Sequence, residues 1–403
     1  MNASGDPRRR VRGEARTIGT QRADEYHVLM APQPRHKEVH GAGLRPGRWP
    51  KARKFRLWAL LAVVLLVVMG SAVVAGTADE EDPSGSREPS PSPSPTATPS
   101  TSGTPPYRAF HADSWWNAPL PEDAPTNPFG EEILDYLRTG AQSDAGCLTL
   151  AGAAGSRWGH PIYWAEPSDP EYDLDDVVDE DIPELDNLRI PEGALPADNG
   201  DGSMTVYDLA KGYVVALTDA EYDEDADTWS ASGATVTYLD SNGLHEQTGR
   251  SDDPRNQGSH RGNNGATMAV PWEAVNAGEI RHVLKVASGP EVADRYVFPM
   301  VGSDGDYPGT DPKVPPQGLR LRIKPSVDLE DLDLDPQAFV IAQALQRYGF
   351  YIGDSGGTTS LKLENTVAEG RGQLWDLRPD ALCGLPFSPS YWDVLAEGYD
   401  PSR

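Results

Sequence analysis

The chain has 403 residues, with 35 Lys/Arg against 62 Asp/Glu, a net charge of −27. Residues 1–56 carry 14 basic against 5 acidic side chains, net +9, and the remainder carries 21 against 57, net −36. A field that acidic repels polyanions, so nucleic acid is excluded as a partner of the C-terminal part.

Residues 1–56 contain Arg8-Arg9-Arg10, scattered Pro and Gly and few apolar side chains, too few to bury a core, and are expected to be a disordered cytoplasmic arm. Residues 57–76 read LWALLAVVLLVVMGSAVVAG without a charge. At a helical rise of about 1.5 Å per residue, that run matches a hydrocarbon core of about 30 Å. Basic residues up to Arg56 precede it and Asp79 to Asp82 follow it, which predicts a single-pass helix with the N-terminus in the cytoplasm. A cleaved signal peptide ending near Ala78 is the competing reading, but the apolar run and the preceding arm are both longer than such leaders carry. G-x-x-x-G spacing is absent, so no helix pairing is predicted and oligomeric state is left open. Residues 77–106 alternate Pro with Ser and Thr and are read as an extended polyproline stalk. Residues 107–403 are then an extracytoplasmic domain at the cell membrane.

Within that domain the first helix is expected to begin at Asn127-Pro128, with Ile133, Leu134 and Leu137 on its apolar face and a stop at Gly140. The second follows Asp335-Pro336, carries Ala338, Ile341, Leu345 and Tyr348 on one face, and ends at Gly349. Between them lie short runs rich in β-branched and aromatic residues, at 204–207, 213–217, 234–239, 282–287, 296–301, 319–323, 350–352 and 361–363. Their spacing and turn residues predict a mainly β domain, an antiparallel β-sandwich or jelly roll with two or three short helices. The acidic stretches 166–186 and 221–227 read as surface loops. Cys147 and Cys383 are the chain's two cysteines, and an oxidising compartment predicts a disulfide between them, worth up to about 5 kcal/mol in the chain-entropy picture.

Candidate chemistry is thin. His160, in Arg157-Trp158-Gly159-His160, and His260, in Ser259-His260-Arg261-Gly262, sit in glycine-bounded loops where functional side chains are displayed. Asp354 stands in Gly353-Asp354-Ser355-Gly356-Gly357, which reads as a hairpin turn with a second, catalytic reading. Trp115, Trp116, Trp158 and Trp164 fall in Gly- or Pro-bounded contexts and are candidates for stacking on sugar faces, with core packing as the alternative. Asp304, Asp306 and Asp311 lie in acidic turns that could approach calcium, although a solvated turn is the default and no metal site is expected. No cofactor motif, G-x-S-x-G elbow or H-E-x-x-H helix is present. The location and the loop aromatics together predict a domain that binds or processes cell-wall or extracellular glycan; a non-catalytic envelope scaffold or partner-binding protein is the alternative.

Several segments together, Ser114-Trp115-Trp116-Asn117-Ala118-Pro119, Ile190-Pro191-Glu192-Gly193, Gly278-Glu279-Ile280-Arg281-His282, Arg347-Tyr348-Gly349 and Gly398-Tyr399-Asp400-Pro401, resemble an uncharacterised family of secreted bacterial proteins found chiefly in high-GC Gram-positive bacteria. The resemblance spans most of residues 110–402 and implies one domain. It implies no activity and no site residue. Members often carry an Asp-Gly-His turn before a strand, whereas Asp201-Gly202-Ser203 here has Ser in the third place.

Overall fold

The computed structural model describes residues 107–403 other than 142, 144, 176 and 178–181. The arm, the apolar run 57–76 and the stalk lie outside the described residues. Among the described residues no helix is long and apolar enough to cross a membrane.

Two sheets organise the domain. Their strands are, in chain order, β1 (Thr149–Ala151), β2 (Ile162–Ala165), β3 (Met204–Asp208), β4 (Tyr213–Thr218), β5 (Gly233–Tyr238), β6 (Gln257–Gly258), β7 (Leu284–Ser288), β8 (Arg320–Ile323), β9 (Phe350–Ser355), β10 (Ser360–Lys362) and β11 (Trp392–Val394). The first sheet has the order β1-β10-β7-β9-β8-β11, and the second β6-β5-β4-β3-β2. The helices are α1 (Gly130–Thr139), α2 (Trp272–Asn276) and α3 (Pro336–Arg347).

Pairing is mixed, which corrects the expectation of purely antiparallel sheets. β1 runs parallel to β10, β7 to β9, and β2 to β3. Side-chain alternation reports which face a residue occupies and carries no information on partner direction. Neighbours in the second sheet follow one another in chain order, with short strands of two smaller sheets between them, and do not alternate with the first sheet as in the Greek-key exchange of a jelly roll. The run 296–301 is not a strand either: Tyr296 makes an isolated bridge to Gln317, and the chain turns where Met300 N–H donates to Val297 O at 3.0 Å. Pro299 has no N–H to give a ladder.

Both predicted helices form with the apolar faces that periodicity gives them, α3 from Pro336 as expected and α1 from Gly130, later than Asn127-Pro128, with Phe129 as its cap residue. α1 buries Ile133, Leu134 and Leu137, with Glu131 and Glu132 in its first turn and Arg138 in its last, each charge suited to the helix dipole. α3 begins with Pro336 and buries Ala338, Ile341, Ala342 and Leu345; Asp335 is the cap residue but makes no side-chain cap bond. The turn into β9 uses Gly349 at φ +73°, where a Cβ would stand 2.3 Å from Leu321 O, so only glycine fits.

One apolar cluster joins these helices to a face of the first sheet through Leu284, Val286, Leu321, Ile323, Phe350 and Ile352. Alternation in β9 sends Tyr351 to the opposite face, where it packs with Trp115, Trp116, Ile162, Tyr207 and Val214 of a second cluster. That cluster draws on both sheets. The other face of the second sheet is closed by Val206, Val215, Leu217 and Val236 against Leu188, Ile190 and Trp229. The acidic stretches predicted as loops hold short strands, Glu171–Tyr172 paired with Leu188–Arg189, and Glu221–Asp223 paired with Thr228–Ser230. Cys147 and Cys383 form a disulfide with Cα atoms 5.1 Å apart, tying the chain before β1 to the segment before β11.

Candidate functional site

A cleft of about 960 Å³ opens where the two sheets end. One wall carries Ser203, Thr218, Ser232 and His260 from the ends of the second sheet; the other carries Asp354, Ser355, Ser360 and Lys362 from the first. Nine Ser and Thr residues line it, and the exposed indole of Trp158 stands in the same lining.

Asp354 arrives there because β9 continues through Gly353 to Ser355, which replaces the predicted hairpin turn with strand. The chain then turns at Gly356–Gly357 and returns as β10, with β7 lying between β9 and β10. Gly353 is required, since a Cβ would meet Asn263 Oδ1 at 2.5 Å and the Tyr351 ring at 2.8 Å. His260 and Arg261 arrive on the other side. β6 lies so close to β5 that a Cβ at Gly258, φ +131°, would stand 2.2 Å from Ala234 O. Arg261 then takes φ +56°, an uncommon conformation for a side-chain-bearing residue and one that clusters at functional sites.

The charges form one network. Asp354 accepts from Lys285 Nζ at 3.0 Å and from Arg261 Nη2 at 3.0 Å, and the same Arg261 nitrogen reaches Asp304 at 3.3 Å. Gln317 Nε2 also donates to Asp304. Burial alone would raise Asp354, but the Lys285 and Arg261 cations outweigh it and hold the carboxyl well below the usual range. Asp304 moves the other way, raised by burial and then by the Asp354 charge. Arg261 holds the two carboxylates side by side, Asp354 the more enclosed and Asp304 the more exposed. Lys285, fully enclosed, is lowered by desolvation against the pull of Asp354. Lys362 pairs with Asp201 at 2.6 Å.

His260 Nε2 is hydrogen-bonded to Thr218 Oγ1, and its Nδ1 has no partner among the described residues. Burial, reinforced by the Lys285 charge, brings its pKa down to about 4. The imidazole is therefore neutral at ordinary pH and can accept a proton.

Of the sequence candidates, His260, Asp354, Asp304 and Trp158 meet in this cleft. The others do not. His160 is wholly enclosed, bonded through Nε2 to Thr205 Oγ1 at 2.7 Å, and lies outside the lining. Trp115 and Trp116 are 1 % and 0 % exposed, edge-on to each other and to Tyr351, and so cannot stack on a ligand in solution. The segment 107–120 has no regular structure yet supplies Phe110, Trp115 and Trp116 to the cluster shared by both sheets. Trp164 is exposed but stacks on Tyr207 at 4.3 Å beside a separate small pocket. Asp306 is exposed, and Asp311 pairs with Lys313 at 3.2 Å. Among the described residues no group of three or more His, Cys, Asp and Glu could hold a metal ion.

Sequence reading missed Lys285, Thr218 and Lys362. Lys285 left a trace as the lone charge inside the apolar run Val283-Leu284-Lys285-Val286-Ala287. Thr218 and Lys362 left none, because each matters through a neighbour from another strand.

A second buried acidic cluster lies outside this cleft. Glu364 and Glu369 share Arg371 Nη1 at 2.7 and 3.1 Å, and Glu369 accepts from the Ile162 N–H at 2.8 Å. Burial, and then the Glu364 charge, pushes Glu369 up to about 8.

No family model, curated protein or solved structure matches the chain, so the chemistry of the cleft rests on these residues alone.

Proposed function

We propose that residues 107–403 are an extracytoplasmic domain that binds a cell-wall or extracellular glycan in this cleft and processes it. His260 accepts a proton, and the Asp354 and Asp304 carboxylates hold Arg261 beside it. Residues 57–76 anchor the domain in the membrane with the basic arm inside, and the Pro-rich stalk sets its reach. The observation that carries the reading is the convergence of a neutral histidine, two carboxylates bridged by Arg261 and an exposed indole in one hydroxyl-lined cleft. Glycans need many hydrogen-bonding groups for their hydroxyls and flat rings for their sugar faces, and the cleft holds both. Two facing sheets, read as a sandwich, supply rigid walls for it.

The test is incubation of the purified chain with isolated cell-wall sacculi and with soluble oligosaccharides, measuring retention and release of new reducing ends. His260→Gln should leave retention intact and lower release by about 10²-fold or more. Retention with no release from the unaltered chain would establish the non-catalytic binding module. Absence of both would sink the glycan reading.

A further inference from the structure

We propose that the cleft is one half of a longer groove, so that the ligand is a glycan polymer occupying subsites on both sides of Trp158; this rests on the glycan reading above. A second pocket, of about 220 Å³, lies next to the cleft, and Ser156 lines both. Its polar groups include Arg157, Asp198, Asn365 and Thr366, over a floor formed by Trp375. The divider between the two is the loop that displays Trp158, whose residue is 44 % exposed.

That divider is built to stay in place. Asn199 Nδ2 donates to Arg157 O at 3.0 Å, and the Trp158 N–H donates to Ser156 Oγ at 3.3 Å. The loop also lies directly on its neighbours: a Cβ at Gly152, φ +102°, would stand 2.9 Å from Gly159 Cα, and one at Gly159 would meet Leu363 O at 3.1 Å. A large apolar ring held at the surface of the cleft, on the loop whose Ser156 and Arg157 border the second pocket, has no role in the core. Its geometry suits a pyranose ring stacked on the indole, with the preceding and following sugars hydrogen-bonded in the pockets on either side. A monosaccharide or disaccharide ligand would use the cleft alone and leave the second pocket without a function.

The experiment measures affinity of the full chain for chito-oligosaccharides and for muramidase-released cell-wall glycan fragments, each as a ladder from disaccharide to octasaccharide. Affinity should rise by at least about tenfold over the ladder, and Trp158→Ala, which removes a ring of the cleft itself, should weaken every member and erase that rise. Arg157→Ala should weaken only the longer members. An unchanged melting temperature for both variants separates loss of a subsite from loss of the fold. If the disaccharide binds as tightly as the octasaccharide, the subsite proposal fails and the glycan reading survives. If no member of either ladder binds, the glycan reading itself fails and takes this proposal with it.

Discussion

Replacing Asp354 by Ala is expected to lower folding stability by about 2–4 kcal/mol, and replacing Lys285 by Met in the same chain is expected to recover most of that loss. The Lys285 side chain is only 4 % exposed, and its ammonium has Asp354 at 3.0 Å and the Met268 sulfur at 3.7 Å for company. Removing the carboxylate leaves a cation enclosed without its counter-charge, and that uncompensated charge is what costs stability, more than the lost attraction. Asp354 itself is 24 % exposed, which keeps the expected loss below that of a fully sealed pair. Met at 285 removes the stranded charge and packs beside Met268, while Arg261 keeps Asp304 as its partner. Urea denaturation of the two single variants and the double variant measures the coupling. Additive losses, or a single-variant loss below about 0.5 kcal/mol, would show that Lys285 and Asp354 do not stabilise each other. The same substitution should also abolish processing of bound glycan, because Arg261 would lose one of the two carboxylates that hold it across the cleft.

How much of this was readable beforehand depends on the range over which each residue acts. α1 and α3 were legible because Asn127-Pro128, Asp335-Pro336, Gly140 and Gly349 are local signals beside a local period. The disulfide was legible because two cysteines admit one pairing. Strand positions at 204–208, 213–218 and 350–355 were legible from composition, but their partners and directions were not, since parallel β2/β3 and β7/β9 arise from long connections that no local pattern encodes. Trp115 and Trp116 misled for a related reason. In an irregular segment there is no period to say which way a ring points, so an indole in a Pro-bounded stretch looks the same whether it is threaded between two sheets or lies in solvent. The glycine-bounded context of His260 and Asp354 marked places where a backbone comes close to a neighbour, which is why both reach the cleft. The Lys285–Asp354 pair joins β7 to β9 and the Thr218–His260 contact joins β4 to the loop after β6, so neither exists until the sheets are assembled.

Stability should peak near about pH 6.5 and fall on both sides, with the acid side steeper. His260 titrates at about 4 in the fold against 6.5 when free, so between those values the unfolded chain takes up a proton that the folded chain refuses. Stability is then complete above pH 6.5 and is lost as pH falls toward 4, by about 2–3 kcal/mol for this group. His160, wholly enclosed, is depressed in the same direction by burial and by the Lys362 charge, and His282 by burial, so both add to the loss. Glu369 opposes them. Its carboxyl, raised from 4.5 to about 8, keeps a proton in the fold that the unfolded chain has released, so its contribution is complete below pH 4.5 and declines as pH rises toward 8. Glu364 and Asp304, also raised by burial, act in the same sense as Glu369; near pH 5.5 the three histidines oppose these carboxyls and acid destabilises, and above about pH 7 the unfolded histidines are largely neutral and the raised carboxyls, Glu369 first, set the slope. Melting temperatures measured from pH 4.5 to 9 should therefore trace an asymmetric maximum. His260→Gln should shallow the acid limb and leave the alkaline one, and Glu369→Gln should flatten the alkaline limb and, by removing the opposing proton, steepen the acid one. A melting temperature of the Glu369→Gln variant that stays level from pH 6.5 down to 4.5 would mean that these histidines take up protons in the fold as readily as in the unfolded chain, and His260 would then lose its standing as the neutral proton acceptor of the cleft.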